Sequence, residues 1–236
     1  MRRKRLIGSA LGAVLLLLIA AGLYVLMNSR TFQVAGRIVP RVDTDRKVVA
    51  LTLDDGPSDR TPLVLKALAD AGIPATFYLI GSELAAHPPQ GAAIAQAGNE
   101  IGNHSYTHRR MILVGPGTVR EEIERTDAEI AKTGYLGEIT VRPPNGKKLI
   151  GLPMYLSQHD RTTVMWDVEP DSGTRASTDE IVDETLAQVR PGSIILLHVM
   201  YESGASSLAA IPRIAAGLKA QGYTFVTISD LVQLSD

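Results

Sequence analysis

Residues 47–58 read KVVALTLDDGPS, an apolar run from Val48 to Leu53 that ends in two adjacent carboxylates, Asp54 and Asp55, and a Gly56-Pro57 turn. A continuous apolar run, without alternation, is the pattern of a strand buried on both faces. Such a strand needs helices on both sides of its sheet, which points to an α/β protein with parallel strands. Two like charges at the end of that strand repel each other and lose hydration, so their adjacency calls for a use.

Outward from this stretch, strand-like and helix-like segments alternate. ATFYLIG (75–81), EIGNHS (100–105), EITVRPP (138–144), TTVMWDV (162–168), SIILLHV (193–199) and YTFVTIS (223–229) complete a set of seven strand candidates. Between them lie TPLVLKALADAG (61–72), stopped by Gly72, and a segment over 118–134 that opens on Thr118 and Glu121 as a capping box and stops at Gly134. Ser177 and Glu180 repeat the capping device over 177–192, and a fourth helix over 206–222 has Pro212 near its first turns. About seven βα units imply a parallel sheet closed or nearly closed into a barrel, with an open doubly wound sheet as the rival.

The reactive residues fall at the ends of these strands. Asp54 and Asp55 end the first, His104 and His108 follow the third, Arg142 ends the fourth, Asp167 and Asp171 follow the fifth, and His198 ends the sixth. Strand C-terminal ends are where βα barrels build active sites, so these residues converge on one rim. In HSYTH, histidines four apart share one face of a helical turn and reach one metal, with a carboxylate of the Asp54-Asp55 pair as a third ligand. The other histidines, His87 and His159, lie off the rim and read as structural or surface residues. Glu169 reads as a surface group or one that supports the site from behind.

The chain has 24 Lys and Arg against 25 Asp and Glu, a balance that gives no reason to expect a nucleic-acid partner. With no cysteine, disulfides, thiolate metal sites and cysteine nucleophiles are excluded. MRRKR precedes an uncharged run from Leu6 to Met27, long enough for the roughly 20 residues that cross a bilayer. The basic cluster stays cytoplasmic, which puts the rest of the chain outside. Residues 1–27 are therefore expected to be a membrane anchor, with a cleaved signal peptide as the alternative. Residues 28–46 read as a stalk, and 47–236 as the catalytic domain.

Together these residues resemble the polysaccharide deacetylase family, the NodB-like carbohydrate esterases. The family's Thr-Phe-Asp-Asp-Gly-Pro is TLDDGP here, its His-Ser/Thr-x-x-His is HSYTH, its Arg-Pro-Pro-Tyr-Gly is RPPNG, and its Leu-x-His is Leu196 to His198. The resemblance implies a distorted (β/α)7 barrel that removes N-acetyl groups from N-acetylglucosamine-type residues of a cell-envelope or extracellular polysaccharide. It implies a divalent metal, zinc foremost, on Asp55, His104 and His108. It makes Asp54 the base, held by Arg142, and His198 the acid, oriented by Asp171 with Asp167 in reserve. The backbone N–H of Asn145 serves the oxyanion, and Leu196 walls the acetyl pocket. Two departures stand out: Asn145 replaces the family's Tyr, and WDVEPDSG lacks the family's Asp-Trp. They leave open an inactive wall-binding barrel, and an O-acetyl esterase is a further alternative.

Overall fold

The computed structural model describes residues 2–172 and 176–234, with side chains from residue 12 onward. In chain order it comprises α1 (Arg2–Asn28), β1 (Ile38–Val39), β2 (Val48–Asp54), α2 (Thr61–Ala71), β3 (Thr76–Leu79), α3 (Gly81–Ala86), α4 (Pro88–Gln96) and β4 (Glu100–Asn103). There follow α5 (Pro116–Lys132), α6 (Gly151–Gln158), β5 (Thr163–Val164), α7 (Thr178–Gln188), β6 (Ile194–His198), α8 (Ala205–Ala220), β7 (Thr224–Val226) and α9 (Ile228–Val232). This is an α/β fold in which all strand pairings are parallel, as the double-sided burial of KVVALTL requires.

Strand β2 is the centre. One edge pairs with β6 from Ala50 to Asp54, and the other pairs with β7 in its first half and β3 in its second. Strand β4 follows β3, and single parallel bridges carry the path from Asn103 to Val141, from Val141 to Thr163, and from Val168 back to Ile195 of β6. The period-2 alternation of β2 then sorts its side chains. Val49, Leu51 and Leu53 pack outward with Val64 of α2 and Ile211, Ile214 and Leu218 of α8. Ala50 faces inward beside Tyr78, Leu196 and Trp166. Thr52 and Asp54 share that inner parity, so the strand delivers a carboxylate to the top of its own interior.

Several sequence expectations change. EITVRPP forms no strand: Val141 alone bridges its neighbours, because the Pro143-Pro144 pair removes ladder donors. The capping box at Thr118 and Glu121 is absent, since Pro116 already starts α5 and Glu121 pairs instead with Arg125. The box at Ser177 and Glu180 forms, and Gly72 caps α2 in the left-handed conformation. Pro212 sits in mid-helix on the exposed face of α8, where the carbonyl it leaves unbonded can meet water.

Residues 28–46, read as a stalk, pack onto the domain. Ile38 and Val39 pair with β5, and Val39 and Val42 are buried. Asn28 accepts a hydrogen bond from Lys147, and the Ser29 carbonyl accepts one from the buried Lys148 at 2.5 Å. Helix α1 covers the run expected to span a membrane over 1–27, but among the described residues no helix is long and apolar enough to cross one.

Candidate active site

Parallel register places Asp54, the last residue of β2, directly beside His198, the last residue of β6, and beside Tyr78 of β3. Asp54 is 3 % exposed, and its partner Arg142 is fully buried. Arg142 Nη1 donates to Asp54 Oδ1 at 2.7 Å and to Thr52 Oγ1 at 2.8 Å. Its Nε and Nη2 donate to the carbonyls of Val164 and Met165, and its guanidinium lies 4.1 Å from the Tyr78 ring. A buried cation is tolerated when it is paired and hydrogen-bonded in this way. Burial alone would raise the Asp54 pKa, but Arg142, His104 and His198 outweigh it and hold the carboxyl below its usual range.

Asp55 lies one residue past β2, at φ +71°, so a left-handed turn rather than strand alternation sends its carboxylate away from Asp54. Its Oδ1 stands 3.3 Å from His108 Nε2 and 3.9 Å from His104 Nε2. That oxygen is buried without a hydrogen-bond partner among the described residues. His104 Nδ1 lies 2.8 Å from the Arg142 carbonyl, which puts the ring proton there and leaves the Nε2 lone pair facing the carboxylates. Burial lowers the pKa of both histidines, favouring the neutral ligand form, and burial with the neighbouring Asp54 raises that of Asp55. One ligand atom from each of Asp55, His104 and His108 lies within 4.8 Å of the others. An orphaned carboxylate oxygen facing two neutral imidazoles fits a divalent cation in a three-ligand site with an open position.

The two histidines meet by a different route from the expected helical turn. Residues 104–108 form a bend, with Ser105 at φ +63° and His108 at φ +55°. Each left-handed non-glycine residue costs on the order of 1–3 kcal/mol, so neighbours must hold the bend. Asn103 Oδ1 accepts from the Ser105 amide, and Glu122 of α5 accepts from the amides of Tyr106 and Thr107.

Across the rim, His198 Nδ1 lies 3.2 Å from Asp171 Oδ1, and the His198 amide donates to Asp171 Oδ2 at 2.7 Å. Ser207 Oγ donates to the same oxygen. Burial disfavours the imidazolium, but the Asp171 hydrogen bond and the Asp54 charge raise the His198 pKa to about 9. Asp167, the reserve candidate, faces elsewhere: it accepts from Ser193 Oγ and the Ile194 amide and so anchors the start of β6. Gly204 packs against the His198 carbonyl so closely that a Cβ there would lie 2.1 Å from it.

A cavity of about 380 Å³ joins these groups, lined by Asp54, Asp55, His104, His108, Asn145, Leu196 and His198. Asn145 is exposed at φ +54°, and its backbone N–H makes no hydrogen bond among the described residues. Sequence reasoning missed three cavity features. Trp166 donates through Nε1 to Glu169 at 2.6 Å, Glu169 therefore faces the cavity, and Arg30 pairs with Glu169 while lying 4.5 Å from the Trp166 ring. The indole in TTVMWDV was a visible signal for Trp166; nothing marked Arg30. A wider groove of about 690 Å³ shares Asp55 and His198 and runs on past Tyr201 and Ser206. His87 and His159 lie off the site, each just past the end of a helix and bonded back to its carbonyls, Glu83 of α3 and Tyr155 of α6.

Residues 41–163 match the polysaccharide deacetylase family, and the chain belongs to it. It is 32% identical over 189 residues to a peptidoglycan-N-acetylglucosamine deacetylase of Bacillus cereus, covering 79% of this chain and 69% of that protein. It is 33% identical over 195 residues to the peptidoglycan-N-acetylmuramic acid deacetylase PdaC of Bacillus subtilis, covering 82% of this chain but 40% of that longer protein. The chain thus spans less than half the length of the latter relative. A crystal structure of the Bc1960 peptidoglycan N-acetylglucosamine deacetylase is similar with a TM-score of 0.79 and 30% identity, over 83% of this chain and 92% of that one.

Proposed function

We propose that the chain is a metal-dependent hydrolase that removes N-acetyl groups from amino sugars of a cell-envelope polysaccharide, with peptidoglycan as the substrate its relatives suggest. The observation that carries this reading is the orphaned Asp55 Oδ1 facing two neutral imidazoles, with a paired carboxylate on one side and a raised-pKa histidine on the other. The fold is read as the family's distorted (β/α)7 barrel, supported by the parallel path that returns to β6 through single bridges.

Asp55, His104 and His108 would hold the cation, zinc foremost. When bound, such a cation would supply Lewis acidity, polarising a carbonyl and lowering the pKa of a bound water towards about 7. Asp54, fixed through Oδ1 by Arg142, presents Oδ2 beside His104 Nε2 at 3.6 Å, at the cavity, to take the proton of the attacking water. The unbonded Asn145 N–H faces the oxyanion that develops as the acetyl carbon becomes tetrahedral. Leu196 and Trp166 wall the space for the acetyl methyl group. His198, protonated at neutral pH and held through Nδ1 by Asp171, presents Nε2 to the departing amine and gives it a proton. Acetate release from an N-acetylated and from an O-acetylated oligosaccharide, by metal-stripped protein with and without added zinc, tests this reading. Zinc-dependent release from the N-acetylated substrate is expected; release from the O-acetylated one alone, or from neither, contradicts it.

The domain is further proposed to sit outside the cytoplasm on an N-terminal anchor. The support is MRRKR, the uncharged Leu6–Met27 run and the continuous helix α1 over it, whose Val14–Ile19 side chains are exposed. Protease added to intact cells should spare the domain until the outer barrier is opened, then cleave it. Recovery of the protein in the soluble cytosol would contradict the placement.

A further inference from the structure

Glu122 is out of place by the pattern of its own helix. Helix α5 buries Val119, Ile123, Thr126 and Ile130 along one stripe, and Glu122 lies on that stripe, 6 % exposed, with no cation paired to it among the described residues. A carboxylate there is costly unless its oxygens are satisfied. They are satisfied by residues between the two histidines of HSYTH. Oε2 accepts from the Tyr106 amide at 2.9 Å and the Thr107 amide at 2.8 Å. Oε1 accepts from Thr107 Oγ1 at 2.6 Å. Without Glu122, the two amides inside the bend have no other hydrogen-bond partner among the described residues.

The bend needs such a clamp. His104 leaves β4 buried and fixed by the Arg142 carbonyl, whereas His108 is part exposed and left-handed, with no hydrogen bond to its ring among the described residues. The position of the second imidazole therefore depends on the path of residues 105–107. That path is held from α5 by Glu122 and from α3, where the Gly81 and Ser82 amides donate to the carbonyls of Ser105 and Tyr106. We propose that Glu122 is a positioning residue for the cation site: it fixes the 105–107 bend so that His108 meets Asp55 and His104 in a ligating arrangement. The proposal rests on the metal reading of that triad and adds a residue outside it.

The test is the zinc affinity of the full chain, measured by competition with a chromophoric chelator, with the visible spectrum of the cobalt-substituted protein as a report on geometry. Glu122→Gln keeps the shape but can turn an N–H toward a backbone N–H or the Thr107 hydroxyl. It should weaken zinc binding about 10–100-fold, the usual effect of losing a group that orients a metal ligand, and alter the cobalt spectrum. Circular dichroism should stay unchanged, and turnover should recover at saturating zinc. Thr107→Val removes only the Oε1 contact and should weaken binding less. Glu121→Gln, one residue earlier on the exposed face, should leave affinity at the parent value. A folded Glu122→Gln protein with parent affinity and spectrum overturns the proposal, as does a turnover loss that saturating zinc does not restore. If Glu122→Gln fails to fold, Thr107→Val decides: weakened affinity supports the proposal and unchanged affinity overturns it. A parent chain that binds no divalent cation overturns the metal reading itself and this proposal with it.

Discussion

The two sides of the rim are built differently. On the Asp54 side, the central groups are buried and tied: Arg142 donates to Asp54, Thr52 and two carbonyls, and His104 is fixed by the Arg142 carbonyl. On the His198 side, the imidazole side chain is 38 % exposed, opens to the wider groove and, among the described residues, leans on Asp171. The difference follows from the task. On the proposed mechanism, groups that hold a cation and a water must keep their positions before substrate arrives, whereas a group that protonates a leaving amine must reach the groove where a polymer would lie. Substitutions should therefore affect both stability and chemistry on one side and chemistry alone on the other.

The largest effect should come from Arg142→Met. It leaves Asp54 buried without its partner, and breaking a buried pair in this way costs about 3–5 kcal/mol. Urea unfolding should show a loss of that size together with loss of activity; a stable, active Arg142→Met protein would erase the contrast between the two sides. His198→Ala comes next. It should keep the parent's unfolding midpoint and zinc content while kcat falls by about 10²–10⁴-fold. Loss of zinc along with activity would move His198 to the ligand side.

Asp171→Asn sharpens the same contrast through pH. Against burial, the Asp171 hydrogen bond and the charges of Asp54, Asp171 and Asp55 raise the His198 pKa to about 9, and the proposed acid must be protonated to act, so parent activity should decline as pH rises through about 9. Removing the carboxylate lowers that pKa, and the alkaline limb should move to lower pH with little change in stability. An unmoved limb would show that another group sets it. The smallest effect is expected at Arg30→Ala. Its side chain is 44 % exposed, and a pair of that kind contributes about 0–1 kcal/mol to stability. Unfolding should barely change, while KM for an oligosaccharide rises a few-fold with kcat kept; unchanged kinetics would remove Arg30 from the substrate wall.

What the sequence made legible was local or strictly periodic. The unbroken apolar run before Asp54 announced a doubly buried strand, and the Ser177-Glu180 box formed because both partners lie within one turn. The site residues were legible because strand ends collect on one rim. What escaped depended on distant partners. Strand β1 is two residues long and exists through its pairing with β5, far along the chain. The spacing of His104 and His108 suggested convergence but not its route, since the bend is held by Glu122 fourteen residues beyond His108 in sequence. Arg30 reaches the cavity only because residues 28–46 fold back onto the domain, which no local pattern in them declares.

The central claim is that adjacent carboxylates, Asp54 and Asp55, divide the work, one as base and one as ligand. Zinc affinity and acetate release measured together on Asp54→Asn and Asp55→Asn, with circular dichroism to confirm folding, test it most directly. Asp55→Asn should bind zinc much more weakly and recover part of its activity in excess zinc. Asp54→Asn should bind zinc like the parent and lose about 10²–10⁴-fold in kcat with no recovery. The reverse pattern, or two variants that both keep full activity, would contradict the account.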